Sequence, residues 1–202
     1  EILGINRWIK PIKFFVSIAI FLWTMAVYFH YLKGYESVSK RISWAMIVIF
    51  IIEMVVITGQ AFHGTTSHFN TATPVNAALY TVMGISIIIN ALLVAYVAYL
   101  YFKNDIDLPS SIVWGMRLGL ILFLLGSAQG GYMSAQTGHS VGVADGGAGL
   151  PLVNWSTVGG DLRVAHFLGL HALQTVPISA WLIGKFRPSI AKLGTVGFAT
   201  AY

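Results

Sequence analysis

Five long apolar stretches constrain this chain more than any other feature of its sequence. A helix that crosses a bilayer needs about 20 mostly apolar residues, and the stretches of that length are Ile12–Leu32, Ile42–Ala61, Val75–Phe102, Ser110–Gln136 and Asp161–Gly184. Charged residues make up only 9% of the chain, whereas soluble domains carry about 25%. The sequence therefore predicts an all-α, multi-pass transmembrane helix bundle, with residues 1–202 in a single domain.

The two ends of the chain are less apolar than the five stretches. Residues 1–10, EILGINRWIK, mix large apolar side chains with basic ones, which predicts a short interfacial helix on the membrane surface. The apolar segment Ser189–Tyr202 is too short to cross. It is either a partial sixth span or a disordered tail.

The basic residues predict how the bundle is oriented. We call side A the face that holds the start of the first span, the end of the second and the start of the fifth. Side A carries Arg7, Lys10, Lys13 and Arg163, and the opposite face, side B, carries Lys33, Lys40, Arg41, Lys103, Arg117, Lys185, Arg187 and Lys192. Because basic residues accumulate in cytoplasmic loops, side B is predicted to be cytoplasmic in a bacterial inner membrane.

The connections on side A are long and polar. Residues 59–74 read GQAFHGTTSHFNTATP, and residues 137–160 are rich in glycine. A long segment of this kind tends to be functional or disordered. The apolar residues of the second segment, Leu150, Leu152, Val153 and Trp155, predict an ordered, non-cytoplasmic cap that packs onto the helices.

Five of the six histidines fall at side A, and this clustering predicts a site. They are His63, His68, His139, His166 and the slightly deeper His171, while His30 lies toward side B. Interfacial histidines can simply tolerate the head-group zone. The presence of Arg163, Asp161 and Asp145 at the same level favours a functional site instead.

The start of the fifth span, GGDLRVAHFLGLHALQ, is unusually polar for a membrane helix. Asp161 is predicted to cap the helix, and Arg163, His166, His171 and Gln174 share one stripe of about 140° in helical projection. Ionisable groups within a span usually face the bundle interior, so we expect the stripe to face the second and fourth spans. Pro177 is expected to free the carbonyl of Leu173 and to bend the helix.

The facing helices offer partners for this stripe. Gly126, Gly130 and Ser134 recur at intervals of four residues, which favours close helix approach. Glu53 is the only acid deep within a span, and Asn90 of the third span is its expected hydrogen-bond partner. Such a carboxyl is neutral, paired or part of a proton path.

The first functional hypothesis is a membrane redox or metal-binding protein, in particular a haem b electron-transfer component. Imidazoles are suitable haem ligands, and His166 or His171 would pair across the bundle with His63 or His68. Arg163 would contact a propionate, Gly126 and Gly130 would leave room for the porphyrin, and Gln174 would line the site. A pocket for a quinone, formed by histidine, glutamine and Trp155, is an intermediate case.

Two further hypotheses remain open, and the sequence leaves undecided whether the protein is an enzyme. A non-haem metal site on His68, His139, His166 and His171 would suit a metal-dependent enzyme acting on a lipid or isoprenoid substrate. Alternatively, the protein is an accessory subunit of a larger membrane complex. The net charge of +5 reports membrane orientation rather than a nucleic-acid partner.

Several short motifs occur together in order: SHFN at residues 67–70, then GHSVG, NWS and GDLRVAHFLGLHALQ. In this combination the chain resembles an uncharacterised family of bacterial multi-pass integral membrane proteins. The resemblance covers residues 58–182. It implies a bacterial integral membrane protein, but no activity, ligand or catalytic residue.

Overall fold

Five long helices form the body of the protein in the computed structural model, which describes residues 1, 2, 4 and 6–202. They are α1 (Ile9–Tyr31), α2 (Glu36–Phe62), α3 (Pro74–Lys103), α4 (Ser110–Ala135) and α5 (Leu162–Phe186). All five are long and apolar enough to cross a membrane. The prediction of an all-α bundle with five spans is confirmed.

The N-terminal end of the chain differs from the prediction, and the C-terminal end follows one of its two alternatives, a partial sixth span. Helix α1 begins at Ile9, and the described residues before it form no helix, whereas Leu3 and Ile5 of the predicted interfacial segment lie outside the described residues. After α5, a 3₁₀ turn (Pro188–Ile190) leads into α6 (Ala191–Ala201). The Tyr202 hydroxyl donates to the carbonyl of Leu168 at 3.0 Å, so α6 folds back along α5. Its 11 residues reach only about half way across a bilayer.

Helices α4 and α5 form the most extensive contact between elements, and glycine makes it close. A Cβ atom on Gly126 would lie 2.8 Å from the Cα of Gly169, and one on Gly119 would lie 2.8 Å from the carbonyl oxygen of Ala172. The predicted close approach at Gly126 is confirmed. Because the backbone of α5 fills this space, Gly126 does not leave the room for a porphyrin that the sequence predicted.

A well-packed apolar core occupies the side B half of the bundle. Phe21 of α1 lies between Phe50 of α2 and Phe123 of α4, with ring centroids 5.3 and 5.5 Å away. Below this layer, Met46, Val94 and Leu120 are fully buried. The continuous apolar packing closes the interior of the bundle toward side B.

Residues 137–160, which we call the lid, cover side A. Two short antiparallel strands, β1 (Ser140–Val141) and β2 (Gly160–Asp161), join the ends of the lid. The ring of Trp155 packs against Phe167 at 5.4 Å, as the predicted ordered cap requires. Leu150 and Leu152, however, are 46% and 74% exposed. The prediction that these two leucines pack down is therefore wrong.

Candidate functional site

The centre of the candidate site is a contact between α1 and the connection between α2 and α3. Lys10 Nζ lies 3.1 Å from His68 Nδ1, and the hydroxyl of Ser67 lies 3.1 Å from the same nitrogen. An ammonium group has no acceptor, so Nδ1 accepts the hydrogen bond from Lys10. The proton of the neutral ring is then on Nε2, which faces away from this contact.

Aromatic side chains surround the imidazole of His68. Ring centroids of Phe14, Phe69 and Tyr80 lie 5.5, 6.4 and 6.3 Å from it. Burial is the main reason that the pKa of His68 falls from 6.5 to about 3, and the neighbouring Lys10 and His166 lower it further. His68 is therefore a neutral imidazole at physiological pH.

Glu53 lies behind this contact, deep in α2. Its side chain is only 2% exposed, and Oε1 has no hydrogen-bond partner among the described residues. Lys10 is close enough for its charge to act on the carboxyl group. We call Lys10, Glu53, His68 and His166 the side A cluster.

The predicted hydrogen bond between Glu53 and Asn90 is not formed. Gln60 of α2 donates to Asn76 of α3 at 2.9 Å, and this pair sets the register of the two antiparallel helices. In that register Asn90 lies about two helical turns closer to side B than Glu53. The side-chain oxygen of Asn90 is also left without a partner among the described residues.

His166 enters the site from α5 and is held in one orientation. Its Nδ1 lies 2.7 Å from the carbonyl oxygen of Gly126, so Nδ1 carries a proton and donates it. A Cβ atom on Gly130 would lie 2.7 Å from the Cε1 of this ring. The glycine therefore makes room for the imidazole rather than for a porphyrin. In the neutral ring, Nε2 remains as an acceptor.

A second cluster of polar residues holds the lid against the start of α5. The Asp161 carboxylate accepts from the amide of Arg163 at 3.0 Å, which confirms the predicted cap, and from Arg163 Nε at 2.9 Å. It also accepts from the amide of Ser156 at 2.8 Å. Burial opposes ionisation of Asp161, but the hydrogen bonds from Arg163 and from these amides outweigh it and lower its pKa to about 2.

His139 joins the same group from the lid. Its Nδ1 lies 3.3 Å from Asp145 and 3.7 Å from Asp161. Burial and the charge of Arg163 lower the pKa of His139, although the two carboxylates act in the opposite direction. Asp145 in turn accepts from the amide of Ser140 at 2.7 Å. These contacts give the lid a defined conformation.

Besides Arg163 and His139, three further predicted site residues lie outside the side A cluster. His63 is exposed at the end of α2, with its ring 5.7 Å from that of Phe62. His171 packs on Phe167 at 4.3 Å, on the flank of α5. Gln174 donates to Thr24 of α1 at 2.8 Å, so the polar stripe of α5 faces α1 and α4 rather than α2 and α4.

The geometry does not assemble the predicted metal site. Among the described residues, no three histidine, aspartate or glutamate side chains form a metal-binding group, so His68, His139, His166 and His171 do not act as one ligand set. The guanidinium of Arg163 contacts Asp161 and the carbonyl of Asn154, and a haem propionate would have to displace these contacts. The space at Gly126 and Gly130 that the prediction reserved for the porphyrin is filled by α5 and by the ring of His166.

Lys10 is the principal site residue that sequence reasoning missed. It counted only as a charge in the prediction of orientation, although it follows the helix start by one residue and precedes Pro11. The predicted span began at Ile12, so only the structure, in which α1 begins at Ile9, places Lys10 inside the helix. Tyr80, which is hydrogen-bonded to Ser134 of α4, gave no signal, because its role depends on where the segment around His68 folds.

Comparison of the chain with protein-family models, with curated proteins and with solved structures finds no match.

Proposed function

We propose that this protein is an integral membrane redox component that exchanges protons between side A and a molecule bound in the side A half of the bundle. One observation carries the proposal. The Lys10–His68 hydrogen bond of 3.1 Å lies next to a buried carboxyl group, Glu53, whose Oε1 has no partner among the described residues. Buried ionisable groups of this kind are expensive in a membrane and usually functional.

The chemistry of the three groups suits proton exchange. An ammonium group donates, a neutral imidazole both donates and accepts, and a carboxyl group does either according to its protonation. Lys10 and His68 lie at the side A end of the bundle, and Glu53 lies deeper. In this proposal Lys10 and His68 connect side A to Glu53, on which the charge of Lys10 acts.

The apolar packing of the side B half indicates where these protons are transferred. Among the described residues, the layer of Phe21, Phe50 and Phe123 and the core beneath it are mainly apolar. We therefore expect a proton taken from side A to pass to a molecule in the membrane rather than to side B. Quinones have this chemistry, since the two-electron reduction of a quinone consumes two protons. An external reductant or a partner subunit supplies the electrons.

The proposal extends to location. We place side B in the cytoplasm of a bacterial inner membrane and the lid on the outer face. The reason is the excess of basic residues on side B, eight against four, as expected for cytoplasmic segments.

Infrared difference spectroscopy tests the proton exchange. Purified protein is loaded with a short-chain ubiquinone analogue, and spectra are recorded before and after reduction with dithionite. The wild-type protein is expected to show a carboxyl band that changes on reduction, and Glu53→Gln is expected to lose it. The matched control is Glu36→Gln, an exposed acid at the start of α2, which should retain the band.

Two results would contradict the proposal. One is a carboxyl signal that persists in Glu53→Gln, or no quinone-dependent signal in any variant. The other is proton leakage. Liposomes that contain the protein should be as impermeable to protons as empty liposomes, because the core toward side B is apolar.

His166 supports a second candidate, a bound metal or haem in a position other than the predicted one. Histidines that bind metals usually donate their other ring nitrogen to a carbonyl or carboxylate, as His166 does to Gly126. An absorption spectrum with a Soret band that moves on reduction, or metal found by elemental analysis, would favour this candidate. His166→Ala should then remove the signal while His171→Ala and His30→Ala keep it.

A further inference from the structure

Two cations from different helices hold the same turn of the lid. Lys13 Nζ of α1 donates to the carbonyl oxygen of Leu152 at 2.9 Å, and the guanidinium of Arg163 donates to that of Asn154. Both acceptors are neutral. Leu152 and Asn154 have φ angles of 65° and 56°, a left-handed conformation that residues other than glycine adopt at a cost. The turn is also closed by its own backbone hydrogen bonds, such as that from the amide of Asn154 to the carbonyl of Leu150 at 2.8 Å, and the two cations hold it against α1 and α5.

Two of the three cations around this turn have no carboxylate partner. Lys10 lies close enough to Lys13 and Arg163 for the three cations to repel one another. Among the described residues, Asp161 is bound by Arg163 and Asp145 lies against His139, whereas no carboxylate lies within 4 Å of the ammonium groups of Lys10 and Lys13. The charge of Lys13 at the side A surface is therefore not directly compensated.

Lys13 and Arg163 also have donors to spare, and the charge of Lys10 beside them adds to the attraction for an anion. Lys13 uses one ammonium hydrogen for Leu152, and Arg163 Nη1 donates to no acceptor among the described residues. A phosphate oxygen is a stronger acceptor than a neutral carbonyl, and arginine binds phosphate with two parallel hydrogen bonds. A phosphate group would therefore compete well with the carbonyls of Leu152 and Asn154.

We propose that Lys13, Arg163 and Lys10 form a binding site for an anionic phosphate group, which replaces the carbonyls of Leu152 and Asn154 and releases the lid turn. The phosphate belongs either to a phospholipid head group or to a free phosphate in solution. The site lies at the side A end of α1 and α5, where head groups lie. It does not depend on proton exchange, and Glu53→Gln should not weaken it.

A single fluorescent label on the lid tests the proposal. The chain has no cysteine, so Leu152→Cys gives one attachment point, and Leu152 is 74% exposed. The labelled protein in neutral detergent is titrated with phosphatidylglycerol, with diacylglycerol, which has no phosphate, and with sodium phosphate. We expect phosphatidylglycerol to change the label signal at a concentration at least tenfold lower than diacylglycerol. A response to sodium phosphate as well would identify free phosphate as a ligand.

Lys13→Gln in the labelled background should raise the phosphatidylglycerol concentration that is needed by about tenfold, the usual loss for one charge-assisted hydrogen bond. Lys40→Gln, an exposed lysine on side B, is the matched control and should change nothing. Equal responses to the two lipids and no response to sodium phosphate would overturn the proposal. Equal losses in the two variants would also overturn the proposal. The same holds if native mass spectrometry detects anion binding that leaves the label signal unchanged.

Discussion

The two halves of the bundle satisfy their buried polar groups in opposite ways. In the side B half, the Tyr101 hydroxyl donates to the carbonyl of Tyr28 at 2.8 Å, and the Tyr28 hydroxyl donates to that of Leu173 at 3.1 Å. In the side A half, the Glu53 carboxyl is left with a free oxygen among the described residues. The first half joins helices with neutral hydrogen bonds, and the second half keeps ionisable groups close together.

The nature of the unpartnered groups sharpens this contrast. Ser39, Asn90 and Gln174 also have a buried side-chain atom without a partner among the described residues, but none of them can ionise. Only Glu53 can change its charge. An unpartnered carboxyl costs stability, and the apolar packing and neutral hydrogen bonds of the side B half offset that cost. The neutral contacts that join the helices and the buried ionisable groups are therefore separated along the membrane normal.

The largest expected effect lies where α4 and α5 meet. Gly126→Ala places a Cβ atom 2.8 Å from Gly169 Cα and should destabilise the protein by about 1–3 kcal/mol, as overpacking does. Gly131→Ala, where a Cβ would meet nothing within 4 Å, should be neutral or stabilising, since alanine favours helices. Thermal unfolding in detergent measures both. An equal response of the two variants would show that the close contact does not limit stability.

The next largest effect tests the neutral hydrogen bonds of the side B half. Pro177 cannot donate to the carbonyl of Leu173, and the Tyr28 hydroxyl takes that place. Tyr28→Phe leaves a buried carbonyl unpaired and should lower the free energy of unfolding by about 1–2 kcal/mol. Tyr96→Phe, at a site 43% exposed, is the control. Retained stability in Tyr28→Phe would mean that this half does not depend on its hydrogen bonds.

The free energy of unfolding should depend on pH through His68, in the side A half. The pKa of His68 is about 3 in the folded protein, against 6.5 for a free histidine, so the unfolded chain binds more protons between these values. The contribution of His68 to stability is therefore complete above pH 6.5 and is lost as the pH falls toward 3. Unfolding measured across this range should show a slope of up to one proton, which His68→Gln reduces. An unchanged slope would place the titration elsewhere.

The smallest effect concerns an ion pair outside the membrane. Lys33 and Asp107 approach to 2.8 Å, but their side chains are 71% and 83% exposed. Exposed pairs contribute little to stability because water screens them. Asp107→Asn should leave the melting temperature unchanged. A fall as large as that of Tyr28→Phe would contradict the contrast between buried neutral contacts and exposed charged ones.

The amino-acid sequence was sufficient to predict the spans, the helix cap at Asp161 and the close approach of another helix at Gly126. These features depend on local rules: the apolar length of a helix, the capping preference of aspartate and the spacing of small residues. The prediction for the histidines was less complete. His68 and His166 come together, whereas His63 and His171 do not, because distances between helices are not contained in spacing along the chain.

Sequence alone determined that this protein is a membrane helix bundle with five of its six histidines at side A, since the cost of polar groups in hydrocarbon limits where each span can begin and end. Only the tertiary structure decided which polar groups meet. The register of α2 against α3 separates Glu53 from Asn90, and the contact of Lys10 with His68 joins residues 58 positions apart. Such contacts follow from the packing of all the helices at once, and no local pattern specifies them.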